Sequence, residues 1–267
     1  MTAAPSSSPT TAFSQLRWSA LSLRSKRIIV LVLVLAVWQV YGDLGHALVL
    51  PPVTAVLAAL ASLAVHGGLF PALGSSLELL AIGFATAFAG GTLLGILLGR
   101  YRVLDITFGP YVHALYATPE IALVPLILIW FGFGLGGRVV VVFLASFFPI
   151  LINVYAGVRD APAQLIEVAR SFGVAGEFQL LRRVIIPAAF PFMMAGIRLG
   201  IGRGIVGMAV AEVYLRLGGI GALIVQYGAV FKTDYVIASI LPLPILGIVL
   251  TKVFALIEQR FQAWRTM

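Results

Sequence analysis

Apolar residues run along this chain in long blocks, and the short segments between them hold most of its charges. The blocks run from Ile28 to about Tyr41, from about Leu73 to Leu98, about Pro110–Phe131, Val139–Val158, about Phe190–Ala211 and about Tyr235–Ile257. A helix needs roughly 20 apolar residues to cross a hydrocarbon core of about 30 Å. The pattern therefore predicts six spanning helices. The first block, about 14 residues or roughly 21 Å of helix, is the shortest. The third is interrupted by Pro119 and Pro125, both of which are expected to break it. Between the first two blocks, Leu50-Pro51-Pro52 precedes an apolar patch, Val53 to Val65, which predicts a helix lying outside the membrane.

Composition supports this reading. Of 267 residues, 61% are hydrophobic and 10% charged, where a soluble domain averages about 45–50% and about 25%. The net charge is +8. In a soluble chain that would suggest nucleic acid, but here the positions of the basic residues account for it. With the N-terminus inside, the inner segments hold Arg17, Arg24, Lys26, Arg27, Arg100, Arg102, Arg159, Arg170, Arg182, Arg183, Arg260 and Arg265, and the outer ones only Arg138, Arg216 and Lys232. This predicts both termini in the cytoplasm and no nucleic-acid partner. The basic cluster before Ile28 also fits a signal peptide, but no small-x-small cleavage site follows, so an uncleaved anchor is expected. The small, polar segment 1–16 reads as a disordered tail. The expected organisation is a cytoplasmic tail (1–27), a first span with an external segment (28–72), a core of five spans (73–258) and a short cytoplasmic tail (259–267). Trp38, Tyr41, Trp130 and Tyr227 sit near predicted span ends, as interfacial anchors do.

Little in the chain suggests chemistry. Cysteine is absent. His46, His66 and His113 lack metal-ligand spacing, and no catalytic triad falls at one depth. Gly132, Gly134 and Gly137 match G-x-G-x-x-G without a surrounding βαβ unit, and there is no P-loop sequence. Gly91, Gly95 and Gly99, and likewise Gly196, Gly200 and Gly204, recur every four residues. Such rows let helices approach closely in lipid, either as static packing or as an interface that moves. Glu78, Glu120, Arg198, Arg203 and Glu212 lie in or near spans, where a charge is costly. They read either as pathway or gating groups or as structural pairs. A pathway lined by carboxylates alone does not suit an anionic solute.

The inner segment 159–187 is too long for a turn. Leu165, Ile166, Ala169 and Phe172 recur at helical spacing, Gly173 and Gly176 interrupt, and a second short helix (Phe178–Ile186) is expected to end at Pro187. Such a unit suits either a protein partner or the lipid surface.

Glu167-Val168-Ala169-x-x-x-Gly173, followed by Ile185-Ile186-Pro187, resembles the EAA loop of ABC importer permeases. Leu50-Pro51-Pro52, Pro119-x-x-Ala122-x-x-Pro125-Leu126 before Trp130-Phe131-Gly132, and Phe148-Pro149-Ile150 with Asn153 resemble the nitrate/sulfonate/taurine branch of that family. So do Pro187-Ala188-Ala189-x-Pro191, Ala195-Gly196-x-Arg198, Ala211-Glu212 and Gly219-x-Gly221. They occur in family order over roughly residues 38–265. Three departures stand out: Val168 replaces an alanine, the stretch from Gly173 to Pro187 is one residue longer than the motif, and Glu78 stands next to Leu79, near which relatives often carry an arginine. The resemblance implies an all-α, type I ABC importer permease fold in a bacterial inner membrane, acting as a homodimer. It implies two cytoplasmic ATPase subunits carrying the ATP and Mg, and no cofactor on this chain. It also implies an external or periplasmic binding protein that delivers a small solute such as nitrate, a sulfonate or taurine. Glu167, Ala169, Phe172, Gly173 and Pro187 would couple to the ATPase, with Gly173 turning the chain and Glu167 pairing or capping within the loop. Arg198, Glu212, Glu78 and Glu120 are the candidate pathway or gating residues. A secondary carrier would instead need an ion-coupling site, a membrane enzyme a catalytic cluster, and a scaffold no solute flux at all.

Overall fold

The computed structural model describes residues 22–46, 49–174 and 176–262, with side chains omitted at 46, 261 and 262. The predicted disordered segment, Arg17, Arg265 and the side chain of His46 lie outside the described residues. The described residues are helical almost throughout. In chain order the helices are α1 (Leu23–Tyr41), α2 (Val53–Val65), α3 (Leu69–Arg100), α4 (Arg102–Ala117), α5 (Glu120–Phe131) and α6 (Leu135–Arg159). There follow α7 (Ala163–Ser171), α8 (Glu177–Leu180), α9 (Ile186–Leu215), α10 (Gly219–Ala229), α11 (Thr233–Ile240) and α12 (Pro242–Gln262). Five stretches are long and apolar enough to cross a membrane, and α4 with α5, bent by 100° at their junction, makes a sixth.

Three expectations change. The first span is not short: α1 starts at Leu23, where the Ser22 hydroxyl accepts the Ser25 N–H at 3.2 Å, and runs for 19 residues. Arg24, Lys26 and Arg27 thus fall in its first two turns. Pro125 does not break the third span but lies inside α5, and the bend falls at Thr118–Pro119. Proline disfavours helical geometry in the residue before it, and Thr118 is extended, with ψ 133°. Finally, no helix ends at Pro187. Glu177 to Leu215 is one continuous helical stretch of 39 residues. Pro187 falls in the first turn of α9, directly after a π-helical turn, Leu181–Ile185. A π turn holds one residue more than an α turn. That is the length by which this segment exceeds the EAA pattern.

The core is a group of three helices, α3, α6 and α9, each touching the other two. Gly91, Gly95 and Gly99 of α3 meet the Phe147, Leu151 and Tyr155 carbonyls in turn. A Cβ on these glycines would come within 3.0, 2.8 and 2.8 Å of those oxygens. On a neighbouring face of α6, Gly196, Gly200, Gly204 and Gly207 of α9 meet Asn153, Ile150, Ser146 and Ala145, and Ile150 touches both glycine rows. The two glycine rows thus bring both neighbours close against one helix. Between them Leu79, Leu80, Val142, Ile197, Ile201 and Met208 are buried together.

The apolar patch Val53–Val65 forms α2 over those same residues. At 13 residues it is too short to span. It buries Val56, Ala59 and Leu63 against Leu69, Ala72, Ile220 and Ala238, making a second cluster with α10 and α11. The Trp38 indole donates to the Pro51 carbonyl at 2.9 Å, and Gln39 holds Thr54 through its backbone N–H and its hydroxyl. These bonds fix the end of α1 to the Leu-Pro-Pro segment. The rest of α1 stands clear of the core, with Ile28 to Leu35 exposed.

Gly95→Leu would drive a side chain into Val154 and should cost about 1–3 kcal/mol by overpacking. Gly74→Ala, with nothing within 4 Å of the added carbon, should be neutral or slightly stabilising. Thermal unfolding of the two variants in detergent checks this, and equal midpoints would contradict the role given to the glycine row.

Candidate functional site

Three groups of residues stand apart from ordinary core packing: one at the bend of the third span, one at the 159–187 loop and one at the far end of α9.

Pro119 ends α4 and precedes the first turn of α5, where Glu120 lies. A carboxylate in a first turn is favoured by the helix dipole. The bend leaves a cavity of about 480 Å³, lined by Tyr116, Thr118, Glu120, Pro149 and Arg203 among others. Glu120 Oε1 lies 3.6 Å from Arg203 Nη1, an ion pair across the cavity wall. Both groups are partly exposed. Arg203 sits 12 residues before the end of α9, about 18 Å along the axis, so the pair lies near mid-length of a spanning helix. Pro149 on α6 opens the third side, and Asn153 donates to the Pro149 carbonyl at 2.8 Å. This bond ties the Asn153 side chain to the Pro149 backbone carbonyl one turn earlier within the Phe148-Pro149-Ile150 and Asn153 pattern.

At the 159–187 loop, α7 ends in a paired cap. Gly173 N–H donates to Arg170 O and Val174 N–H to Ala169 O, each at 3.0 Å, with Gly173 at φ +85°. This Schellman geometry needs a residue tolerant of left-handed backbone. Ile166 and Ala169 pack inward with Val174, Leu181 and Val184. Leu165 and Val168 are exposed, and Phe172 is 85% exposed. A groove of about 530 Å³ lies beside them, lined by Leu165, Val168, Ala169, Val184, Pro187 and Phe192 among others. Glu167 neither pairs nor caps within the loop: it is exposed and forms no side-chain hydrogen bond or ion pair with the described residues. Instead Glu177 anchors the segment. Its carboxylate takes Arg100 Nε at 2.9 Å and Nη2 at 2.7 Å, joining the end of α3 to the start of α8. Nearby, Tyr155 donates to Asp105 at 2.7 Å and accepts from Arg159.

At the far end of α9, Glu212 is fully buried. Ser76 donates to its two oxygens at 2.7 and 3.0 Å, Gly221 N–H donates to Oε2 at 2.9 Å, and Ile220 N–H donates to Ser76 Oγ at 2.9 Å. These amides belong to the first turn of α10, which has no capping side chain of its own. Glu212 and Ser76 therefore cap α10 from a distance, satisfying N–H groups a helix start leaves free. A Cβ on Gly219 would overlap the carboxylate, and one on Gly221 would crowd Glu212 Cβ at 2.5 Å. The Ala211-Glu212 and Gly219-x-Gly221 patterns are thus two halves of one contact.

The five charged residues do not meet. Glu120 joins Arg203, while Glu212 joins Ser76 and α10. Arg198 pairs with Glu258 of α12 at 2.6 Å. Glu78 is exposed on α3 and has no ion pair with the described residues. Sequence reasoning passed over Ser76, Arg100 and Glu258. A serine in an apolar span carries no marking, and the other two sit at span ends, where charge is expected.

Ser76→Ala would leave the buried carboxylate short of a donor and the Ile220 N–H unmatched. A loss of about 1–3 kcal/mol is expected, read as a lower unfolding midpoint in detergent. An unchanged midpoint would refute the capping role.

Residues 91–263 match the family described as "Binding-protein-dependent transport system inner membrane component". The chain is 34% identical to the putative aliphatic sulfonates transport permease protein SsuC of Bacillus subtilis (strain 168), over 90% of this chain and 87% of the relative. It is 29% identical to the taurine transport system permease protein TauC of Escherichia coli (strain K12), over 93% and 92%. An inward-facing structure of the MetNI methionine ABC transporter superposes with a TM-score of 0.61 at 21% identity, covering 70% of this chain and 92% of that one.

Proposed function

The chain belongs to the binding-protein-dependent transport system inner membrane components, the permease subunits of ABC importers, and we propose that it imports a small organic sulfonate or a related compound. Two copies form the pathway, with both termini in the cytoplasm. Two ATPase subunits carrying ATP and Mg dock on α7 of each copy, and a binding protein delivers the solute to the opposite face. The core 73–258 carries the transport; within 28–72, α2 and the end of α1 are tied to it, and the rest of α1 stands clear.

The observation that carries this reading is the pairing of an exposed apolar tip with a rigid mount. Phe172, Leu165 and Val168 face outward from a helix held by its cap, by Ile166 and by the Arg100–Glu177 bridge. Exposed apolar patches of this kind mark protein contacts. The same mount leads into the 39-residue helical stretch that ends beyond Arg203. Glu177 and Arg203 are separated by about 39 Å of helix, so a push at the inner end reaches the cavity without an intervening hinge loop. Ala169 and Pro187 line the groove where that push enters. Glu167, without a side-chain partner among the described residues, is available to the ATPase. Glu78, a carboxylate open on α3 within a spanning helix, needs cover from the second copy or from a water-filled path. The sulfonate reading rests on the relatives at 34% and 29% identity.

The test is co-purification with the genomically adjacent ATPase, followed by ATP-driven uptake in vesicles with loaded binding protein. Gly173→Pro cannot adopt φ +85° and also removes the bond to Arg170, and Glu167→Lys reverses the outward charge. Each should weaken ATPase association about tenfold or more and cut uptake without lowering the unfolding midpoint of the spans. Normal association and uptake in both variants would overturn the coupling assignment.

A further inference from the structure

The Glu120–Arg203 pair differs from the other ion pairs in its unused hydrogen-bonding capacity: Arg159 and Asp105, 3.5 Å apart, both bond to Tyr155. Arg100–Glu177 and Arg198–Glu258 close to 2.6 Å with direct hydrogen bonds. Glu120 and Arg203 stand 3.6 Å apart, and neither makes a side-chain hydrogen bond to any described residue. A guanidinium has five N–H donors and a carboxylate two acceptor oxygens. That capacity opens into the 480 Å³ cavity at the bend. The cavity's remaining lining is Tyr116, Ala117, Thr118, Pro119, Ile121 and Pro149, which offers carbon surface with two hydroxyls. Fixed charges with unspent hydrogen bonds beside apolar walls are the ordinary makings of a small-molecule site.

The charges limit what fits. A simple anion drawn to Arg203 meets the Glu120 carboxylate on the same wall. A simple cation drawn to Glu120 meets the guanidinium. A neutral solute would displace water from both charges and return no charged partner to either. A zwitterion matches both, placing its ammonium on Glu120 and its acidic group on Arg203. Because the two protein groups are adjacent, a short spacer between the solute's charges is enough. The solute and the pair together carry no net charge, which keeps the cost of holding four charged groups within the membrane low.

We infer that the Glu120–Arg203 cavity is a solute site selecting short zwitterions, aminoalkane sulfonates or small amino acids, over solutes bearing only one of the two charges. This rests on the permease reading above and sharpens it: the permease itself discriminates, in addition to the binding protein.

The experiment uses the permease–ATPase complex in lipid nanodiscs, without binding protein. Binding of taurine is compared with ethanesulfonate, which lacks the ammonium, and with ethylamine, which lacks the acid. The wild type should bind taurine about tenfold or more tightly than either. Glu120→Gln should shift the preference to ethanesulfonate, and Arg203→Gln to ethylamine. A merely structural pair would lose stability in these variants without exchanging preferences. Retained ATPase association shows that each variant is folded. Equal binding of taurine and ethanesulfonate by the wild type, no binding of any probe, or variants that keep the taurine preference would each overturn the inference. ATP-driven uptake by the same wild-type complex is measured alongside. Uptake without zwitterion selection removes this inference alone, whereas absence of any ATP-driven uptake removes the permease reading beneath it.

Discussion

Close approach of three helices is the constraint on which the rest of the structure depends. In lipid there is little hydrophobic drive to bring helices together, so contact rests on shape and dispersion. The glycine rows of α3 and α9 supply the shape. They let α6 lie in a trough with its Phe147, Leu151 and Tyr155 carbonyls almost touching α3. Pro149 of α6 is buried beside this packing, and it shares a cavity with the bend at Thr118–Pro119 and with Arg203. The cavity exists because α6 is held by α3 and α9 and the third span is broken beside it. Broken backbone at membrane depth is tolerated only where protein or water satisfies its polar groups, and here it borders both.

The two ends of α9 are fixed by different means. The approach to its N-terminal end is stiffened by the cap at Gly173, by Arg100–Glu177 and by an uninterrupted helix through the π turn. Its C-terminal end is fixed by Glu212, which lends its carboxylate to α10 and draws in Ser76 from α3. Three helices thus meet at one buried carboxylate. Arg203 lies between these fixed ends, on the part of α9 that faces the bend.

Much of this was readable from residue order. Apolar block length located the spans, and α2 occupies Val53–Val65 because an apolar run after Pro-Pro has few alternatives to a short helix. The ordered family motifs identified the fold. What escaped reading has physical reasons. Two prolines in one apolar block look alike, yet only Pro119 breaks the span. Pro125 lies after the first turn of α5, where the surrounding packing of Val124, Ile127 and Leu128 sustains the helix. The continuity through Pro187 was hidden because a proline in the first turn of a helix needs no N–H of its own, and a π turn has no sequence signature. Charge partners were hidden because pairing depends on which faces of separate helices meet. Nothing in the spacing says that Arg198 meets Glu258, or that a lone Ser76 holds Glu212.

The two charges at the bend sit on different helices, Glu120 on α5 and Arg203 on α9. A membrane potential does work of about 2.3 kcal/mol on each elementary charge carried across 100 mV. If α5 and α9 keep the pair at one depth while the molecule changes state, the work on the cation cancels the work on the anion. The pair itself then adds no net charge movement to that step. Any response of the step to the membrane potential must come from charges outside the pair, such as Glu78 on α3.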